Sequence, residues 1–337
     1  MPPTPLQPAD PHARLRVDSA AFLGIDNPVR IRRQLDIALS DHCYQPRIDD
    51  PLADWVASVA APAFRAVRLQ STQPDAFEAV CSIGTGSGLD ILAAIEILGS
   101  TRIGITDLHD DVVAVAGDNI ARNLNPAHPV DIHAGHGDLL APLAGLGRRY
   151  DVIYENLPNT PLRGDARIDD AQTSSKHFSP RRENLPALVT TNLLALHYLA
   201  LRQSRDLLAP GGSVLSTIGG RIRLSTLLEM ALLAGHFGSI LIYTWKHQAD
   251  AAEMVAFYAG WQGDGLGPFH FYPASVLQQH FAGIDPVEAG LQAFSIEQAL
   301  APHRLDALEA AAALSRGETL GHTVAVLQSR PQGQAAV

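Results

Sequence analysis

Sulfur is scarce in this chain. Of 337 residues only two are cysteine, Cys43 and Cys81, and they sit in unlike surroundings. Such a pair builds no disulfide framework, so the expected compartment is a reducing one, the cytoplasm. Cys81 lies in an apolar run and reads as a small buried hydrophobe. Positive charge is thin as well: 25 Lys and Arg face 35 Asp and Glu, a formal net charge of −10, with no dense basic run. Phosphate binding needs clustered positive charge, so a nucleic-acid partner is disfavoured. Long apolar runs are missing too. The most apolar window, Leu227 to Trp245, is broken by Glu229, His236 and two glycines, which argues against a membrane span. The opening residues carry no apolar stretch of the signal-peptide kind. His128, His133 and His136 lie close together, but no cysteine or carboxylate pattern completes a metal site, and none is expected. No fixed-period repeat emerges.

What is present is a core. Hydrophobic residues make up 46% and charged residues 18%, the balance of a globular chain. The organising stretch is FEAVCSIGTGSGLDILAAIEIL, Phe77 to Leu98. Val80, Cys81 and Ile83 form a short run without polar alternation, as in a strand covered on both faces. Gly84, Gly86 and Gly88 follow at alternate positions. Leu89, Ile91, Leu92, Ile95 and Leu98 then repeat with helical spacing. A strand that turns into a helix through glycines lays bare backbone N–H groups beside a ligand. The dinucleotide fingerprint is G-x-G-x-x-G, whereas here the third glycine comes one residue early.

VCSIGTGSGLDIL resembles the first motif of class I methyltransferases that use S-adenosylmethionine (SAM). In that family the turn lies against the methionine and ribose parts of the cofactor. Gly84, Thr85, Gly86 and Gly88 would do so here. Ser82 stands where the family usually has an acidic residue that helps hold the cofactor's amino group. RIGITDLHDD supplies a second strand ending at Asp107, whose carboxylate can accept from ribose hydroxyls, with Leu108 beside it. Asp110 and Asp111 suit the first turn of the next helix. A third strand over Val130–His133 leads to GHGDLL. There Asp138 resembles the residue that contacts the adenine amino group, and Leu139 its neighbour against the ring. A fourth strand, Tyr150 to Ile153, runs into Asn156-Leu157-Pro158-Asn159. Ligands in open α/β sheets bind beyond the carboxyl ends of the strands, so this loop belongs beside the glycine turn.

NLPN resembles the NPPY signature of amino-methyltransferases, including release-factor glutamine methyltransferases. Leu157 replaces the first proline and Asn159 the aromatic residue that stacks on planar substrates. The resemblance assigns Asn156 as the acceptor that positions the target nitrogen, with the Pro158 turn supporting it. Tyr154 and Glu155 are held in reserve, Glu155 as a base if the target is not an amine.

The flanks are read as follows. Residues 1–75 are expected to be a helical N-terminal region behind a loose proline-rich tail. One helix would start at Asn27-Pro28 and run to about His42; another would start at Asp50-Pro51 and end at Pro62. This region is either a packing lid or a substrate-recognition cap. Residues 76–330 would form the methyltransferase domain, and 331–337 a tail. Thr160 to Glu183 reads as a charged loop, followed by one long helix through Leu188, Leu193, Leu196 and Leu199. Residues 249–318 form an insertion before the last strand, rich in Phe257, Tyr258, Trp261, Phe269, Phe271 and Tyr272, and read as a small subcore or a pocket wall.

The expected fold is α/β: a doubly wound, seven-stranded, mostly parallel Rossmann-like sheet with an antiparallel last strand. The expected activity is methyl transfer from SAM to a nucleophile, nitrogen first, of a small molecule. Protein methylation, glutamine included, is the alternative. A non-catalytic SAM-binding protein and an NAD-dependent oxidoreductase stand as readings of other classes. No membrane partner is expected, and a homo-oligomer stays open.

Overall fold

A computed structural model describes residues 14–73, 75–162 and 183–333. Most of the expected charged loop, residues 163–182, lies outside them.

The N-terminal region holds a strand hairpin and then a helix. Strands β1 (Leu15–Asp18) and β2 (Gln34–Ile37) pair antiparallel, with helix α1 (Ser19–Leu23) between them. The helix expected from Asn27 to His42 is therefore corrected to a strand, and part of the expected loose tail is ordered. The reason is tertiary. Leu35 and Ile37 alternate inward and are fully buried. The free edge of β2 is paired by side chains: Asp36 N donates to Asn123 Oδ1 and Ala38 N to Asn119 Oδ1, both at 2.8 Å. The second expected helix starts later than Asp50. Asp54 caps it, its carboxylate accepting from the N–H groups of Val56 and Ala57 at 2.7 and 3.1 Å. Pro62 does not end it. A π-turn over Val56–Ala60 leads into α2 (Ala61–Arg68), and Pro62 falls in the first turn of α2, where a missing N–H is tolerated.

The main sheet begins with β3 (Ala79–Ile83), followed by α3 (Leu89–Leu98), β4 (Arg102–Asp107), α4 (Asp110–Asn123), β5 (Asp131–His136) and β6 (Tyr150–Glu155). The expected long helix is two, α5 (Ala187–Thr191) and α6 (Ala195–Ser204). Leu193, at φ +57°, breaks it, and Asn159 Nδ2 donates to the Leu193 carbonyl at 3.3 Å. Then come β7 (Leu208–Gly220), α7 (Leu224–Leu233) and β8 (His236–His247). The insertion contains α8 (Ala251–Gly263), the two-residue β9 (Tyr272–Pro273), α9 (Ala274–Phe281), α10 (Pro286–Leu291), α11 (Ala293–Leu300) and α12 (Ala307–Ser315). Strand β10 (Leu320–Pro331) follows.

Seven strands lie in the order β5-β4-β3-β6-β7-β10-β8, and β9 pairs with β10 off this path. Strands β5, β4, β3, β6 and β7 are parallel, while β10 runs antiparallel to both β7 and β8. Both faces are covered. Val80 and Cys81 are neighbours in β3 yet belong to different cores, because successive side chains point to opposite faces. One core packs Leu201, Leu227 and Leu277 on the sheet, the other Phe64, Ile91 and Ile95. A third, smaller core joins Tyr258, Phe269 and Phe271 to the alanine face of α12. The strand order and the inserted antiparallel strand define the class I methyltransferase fold, a Rossmann-like doubly wound sheet. Among the described residues no helix is long and apolar enough to cross a membrane.

Candidate active site

The carboxyl ends of β3, β4 and β6 define one rim of the sheet. After β3 the chain turns through Gly84, Gly86 and Gly88 at φ +67°, +51° and +78°, the left-handed region that side chains disfavour. The turn is pinned to β4: the N–H groups of Gly84 and Thr85 both donate to the Thr106 carbonyl, at 2.8 and 3.1 Å. Asp107, at the tip of β4, accepts from Gly86 N at 3.4 Å and His109 N at 3.3 Å. Burial raises its carboxyl above the ordinary range.

The glycine turn opens onto a cavity of about 860 Å³. This lies toward the upper end of the roughly 300–1,000 Å³ of small-molecule sites. Gly84, Thr85, Gly86, Tyr154, Asn156 and Pro158 all line it. Thr85 is 3% exposed, and among the described residues its hydroxyl has no partner. A buried hydroxyl without a partner is costly, so this one is suited to a ligand group. Asn156 is half-buried, and among the described residues no group hydrogen-bonds its amide.

The other sequence candidates are arranged differently. Asp107, Leu108, Asp138 and Leu139 lie on the same rim but outside the cavity lining. Asp107 reaches the site through Gly86. Asp138 takes a 3.5 Å hydrogen bond from Gln203 Nε2. Ser82 is fully buried beneath the turn and likewise does not line the cavity. Glu155 points from the opposite face of β6. It is 0% exposed, pairs with His197 Nδ1 at 2.8 and 2.9 Å and accepts from Leu157 N at 3.1 Å. Its carboxylate thus braces the NLPN loop from behind. Tyr154 faces the cavity, but its hydroxyl accepts from Thr217 at 3.2 Å and burial pushes its pKa up. It is a wall rather than a base.

Among the lining residues that sequence reasoning missed, four carry charge or can titrate deep in the site: Asp90, Arg221, Lys246 and His322. Asp90, in the first turn of α3, reaches back to the Ser82 hydroxyl and accepts from Ile91 N at 2.8 Å. Burial pushes its carboxyl up to about 6. It puts an acid next to the position where the resemblance expects one and finds Ser82. Arg221, Lys246 and His322 come from the ends of β7 and β8 and the start of β10. Lys246 Nζ donates to the carbonyls of Leu52 and Asp54 at 3.0 and 3.1 Å and to Ser58 Oγ at 2.7 Å. It also lies 5.1 Å from the Trp55 ring centre. Burial lowers its pKa to about 8. Through these contacts the segment from Tyr44 to Ser58 closes one side of the cavity.

His128, His133 and His136 do not cluster. Among the described residues, His42, His109 and Asp111 could share a cation, with ligand atoms within 4.8 Å of one another. The His42–Asp111 ion pair at 3.0 Å and the stacking of His42 on His109 account for that arrangement.

Fold and rim thus place the chain in the class I methyltransferase architecture. No family model matches the chain. A ribosomal protein L11 methyltransferase of Streptococcus equi subsp. zooepidemicus is 44% identical over 80 residues, which span 24% of this chain and 23% of that protein. The chain therefore matches about a quarter of the length of these curated relatives. Among solved structures, a ribosomal protein L11 methylase from Lactobacillus delbrueckii subsp. bulgaricus matches with a TM-score of 0.39 at 14% identity, over 68% of this chain and 92% of that one. A putative RNA methyltransferase from Pyrococcus horikoshii matches with a TM-score of 0.38 at 10% identity, over 82% and 84%.

Proposed function

We propose that this chain transfers a methyl group from SAM to a nucleophile, nitrogen first, of a small molecule. The observation that carries the reading is one cavity lined both by the glycine turn, with a Thr85 hydroxyl that has no partner among the described residues, and by Asn156. The cofactor would be held by the N–H groups of the turn and by Thr85. Asp107 would meet its ribose, Asp90 its amino group, and Asp138 with Leu139 its adenine. When bound, it supplies a methyl carbon already activated on a sulfonium.

The protein's share is then positioning and charge placement. The Asn156 carbonyl oxygen accepts from the acceptor's N–H and aims its lone pair. The Pro158 turn and the buried Glu155–His197 pair keep that amide in place. Tyr154 and the segment from Tyr44 to Ser58 exclude water. That covering segment favours a small acceptor over a protein side chain, although the partial relatives bear the name of a protein methyltransferase.

Calorimetry separates the readings. SAM and S-adenosylhomocysteine should bind saturably and NADH should not. Binding of NADH alone would return the chain to the oxidoreductase reading. Radiolabelled methyl incorporation across a metabolite extract, with none into protein, would support the small-molecule acceptor.

A further inference from the structure

The cavity extends well past the glycine turn. Strand β7 lies two strand spacings from β3, about 10 Å along the rim, and β10 and β8 lie farther in the same direction. Asn156, at the end of β6, falls between. The half of the cavity over β7, β10 and β8 is therefore the acceptor half.

At its floor stands Arg221, only 8% exposed. Its partners are all neutral. Gln248 Oε1 accepts from Nε at 3.2 Å and from Nη2 at 2.6 Å. The Tyr258 hydroxyl lies 3.5 Å from Nη1, and the His322 ring nitrogens 3.2 Å from Nη2. The guanidinium also sits over the Tyr258 and Phe271 rings, at 4.9 and 5.6 Å. Burial and the neighbouring guanidinium together hold His322 well below its usual pKa, so it stays neutral. Among the described residues no carboxylate ion-pairs with Arg221. Of the acids lining the cavity, Asp54 and Asp50 act on Lys246, and none ion-pairs with Arg221 among the described residues. Asp54 accepts from three backbone N–H groups, and Asp90 is tied to Ser82 beside the glycine turn. Asp50 and Asp250 are exposed. Buried charges are ordinarily paired, and an unpaired one costs stability. Lys246 adds a second buried cation to the same half, and Trp55, Trp245 and Tyr258 give it aromatic walls.

We propose that the methyl acceptor carries an anionic group, a carboxylate or a phosphate, on a planar apolar body, and that Arg221 at the floor of the acceptor half receives it. This rests on the methyl-transfer reading only for the word acceptor; the anion site stands on Arg221 and the cavity. The oxygens would accept from the Arg221 N–H groups, supplying the counter-charge it lacks, while the ring packs against the aromatic walls and the nucleophile faces Asn156.

The test uses the full chain with saturating S-adenosylhomocysteine and four probes of one shape: benzoate, phenyl phosphate, benzamide and benzylamine. Benzoate or phenyl phosphate should bind saturably, and which of the two is tighter separates carboxylate from phosphate. Benzamide and benzylamine should not bind. Arg221→Met should weaken the anion about thirtyfold or more, Arg221→Lys much less, and both should keep wild-type affinity for S-adenosylhomocysteine. The free Arg221→Met protein should melt at or above the wild-type temperature, since it loses an unpaired charge. Equal binding of the neutral probe, or anion binding indifferent to Arg221, overturns the proposal. So does loss of S-adenosylhomocysteine binding in a folded Arg221→Lys protein, which would hand the arginine to the cofactor. If the wild type binds no S-adenosylhomocysteine, methyl transfer fails while the anion arm still reads out alone.

Discussion

Asn156 and Asp90 differ in how far a sequence can disclose them. Asn156 closes a strand and sits in a loop whose pattern resembles a known signature, so a role could be proposed for it before its surroundings were seen. In the proposed reading the amide acts on the acceptor, so replacing Asn156 by alanine should lower methyl transfer by about a hundredfold and leave SAM affinity near wild type. Equal losses in both, by single-turnover kinetics and calorimetry, would remove it from that role. Asp90 was invisible because its contact with Ser82 crosses a strand, a turn and a helix start. Its test is pH. The folded carboxyl titrates at about 6, above the 3.8 of the free group, so the folded state holds the proton more tightly. Stability from this group is full below about pH 4 and falls as pH rises to 6, by about 3 kcal/mol in all. Asp90→Asn should therefore match the wild type at pH 4 and become more stable than it by pH 7, in urea melts of the free protein. Parallel curves would mean that the carboxyl is not desolvated.

The strands and helices that bear the site were legible where one residue pattern decided them. β3 and α3 follow from the switch between an unbroken apolar run and helical spacing across glycines, and the seven strands with an antiparallel last one came with the resemblance. β2 was not legible, because Leu35, Ile37 and Leu39 suit either period and its pairing depends on Asn119 and Asn123 far along the chain. The break at Leu193 was hidden for the same reason. No sequence pattern singled out Arg221 or Lys246; the inserted strand brings them to one wall. Packing between elements is equally opaque. Gly290 in α10 lies so close to β8 that an added Cβ would meet the Leu241 carbonyl oxygen at 2.6 Å. Gly290→Ala should cost about 1–3 kcal/mol, read as a lowered denaturation midpoint, because backbone on both sides must shift. An unchanged midpoint would show that α10 can slide.

At the scale of the whole molecule, two distant parts of the chain share one cavity. Tyr44 to Ser58 form one side, held by Lys246, and the ends of β3, β6, β7 and β8 with the start of β10 form most of the rest. Ligand should therefore quiet both. Hydrogen exchange at residues 44–58 should slow by about tenfold or more on adding S-adenosylhomocysteine, since opening then costs binding energy as well. Protection confined to residues 84–88 would make the N-terminal segment a bystander. The sheet order has its own outcome during synthesis. β7 and β8 leave the ribosome before Leu320–Pro331, the stretch that must slide between them. Until then two strand edges face a vacant slot, and the wall bearing His322 does not exist. A nascent chain would thus lack one wall of its cavity until residue 331 has emerged, and until then its unfinished edges stay open to wrong strand pairing.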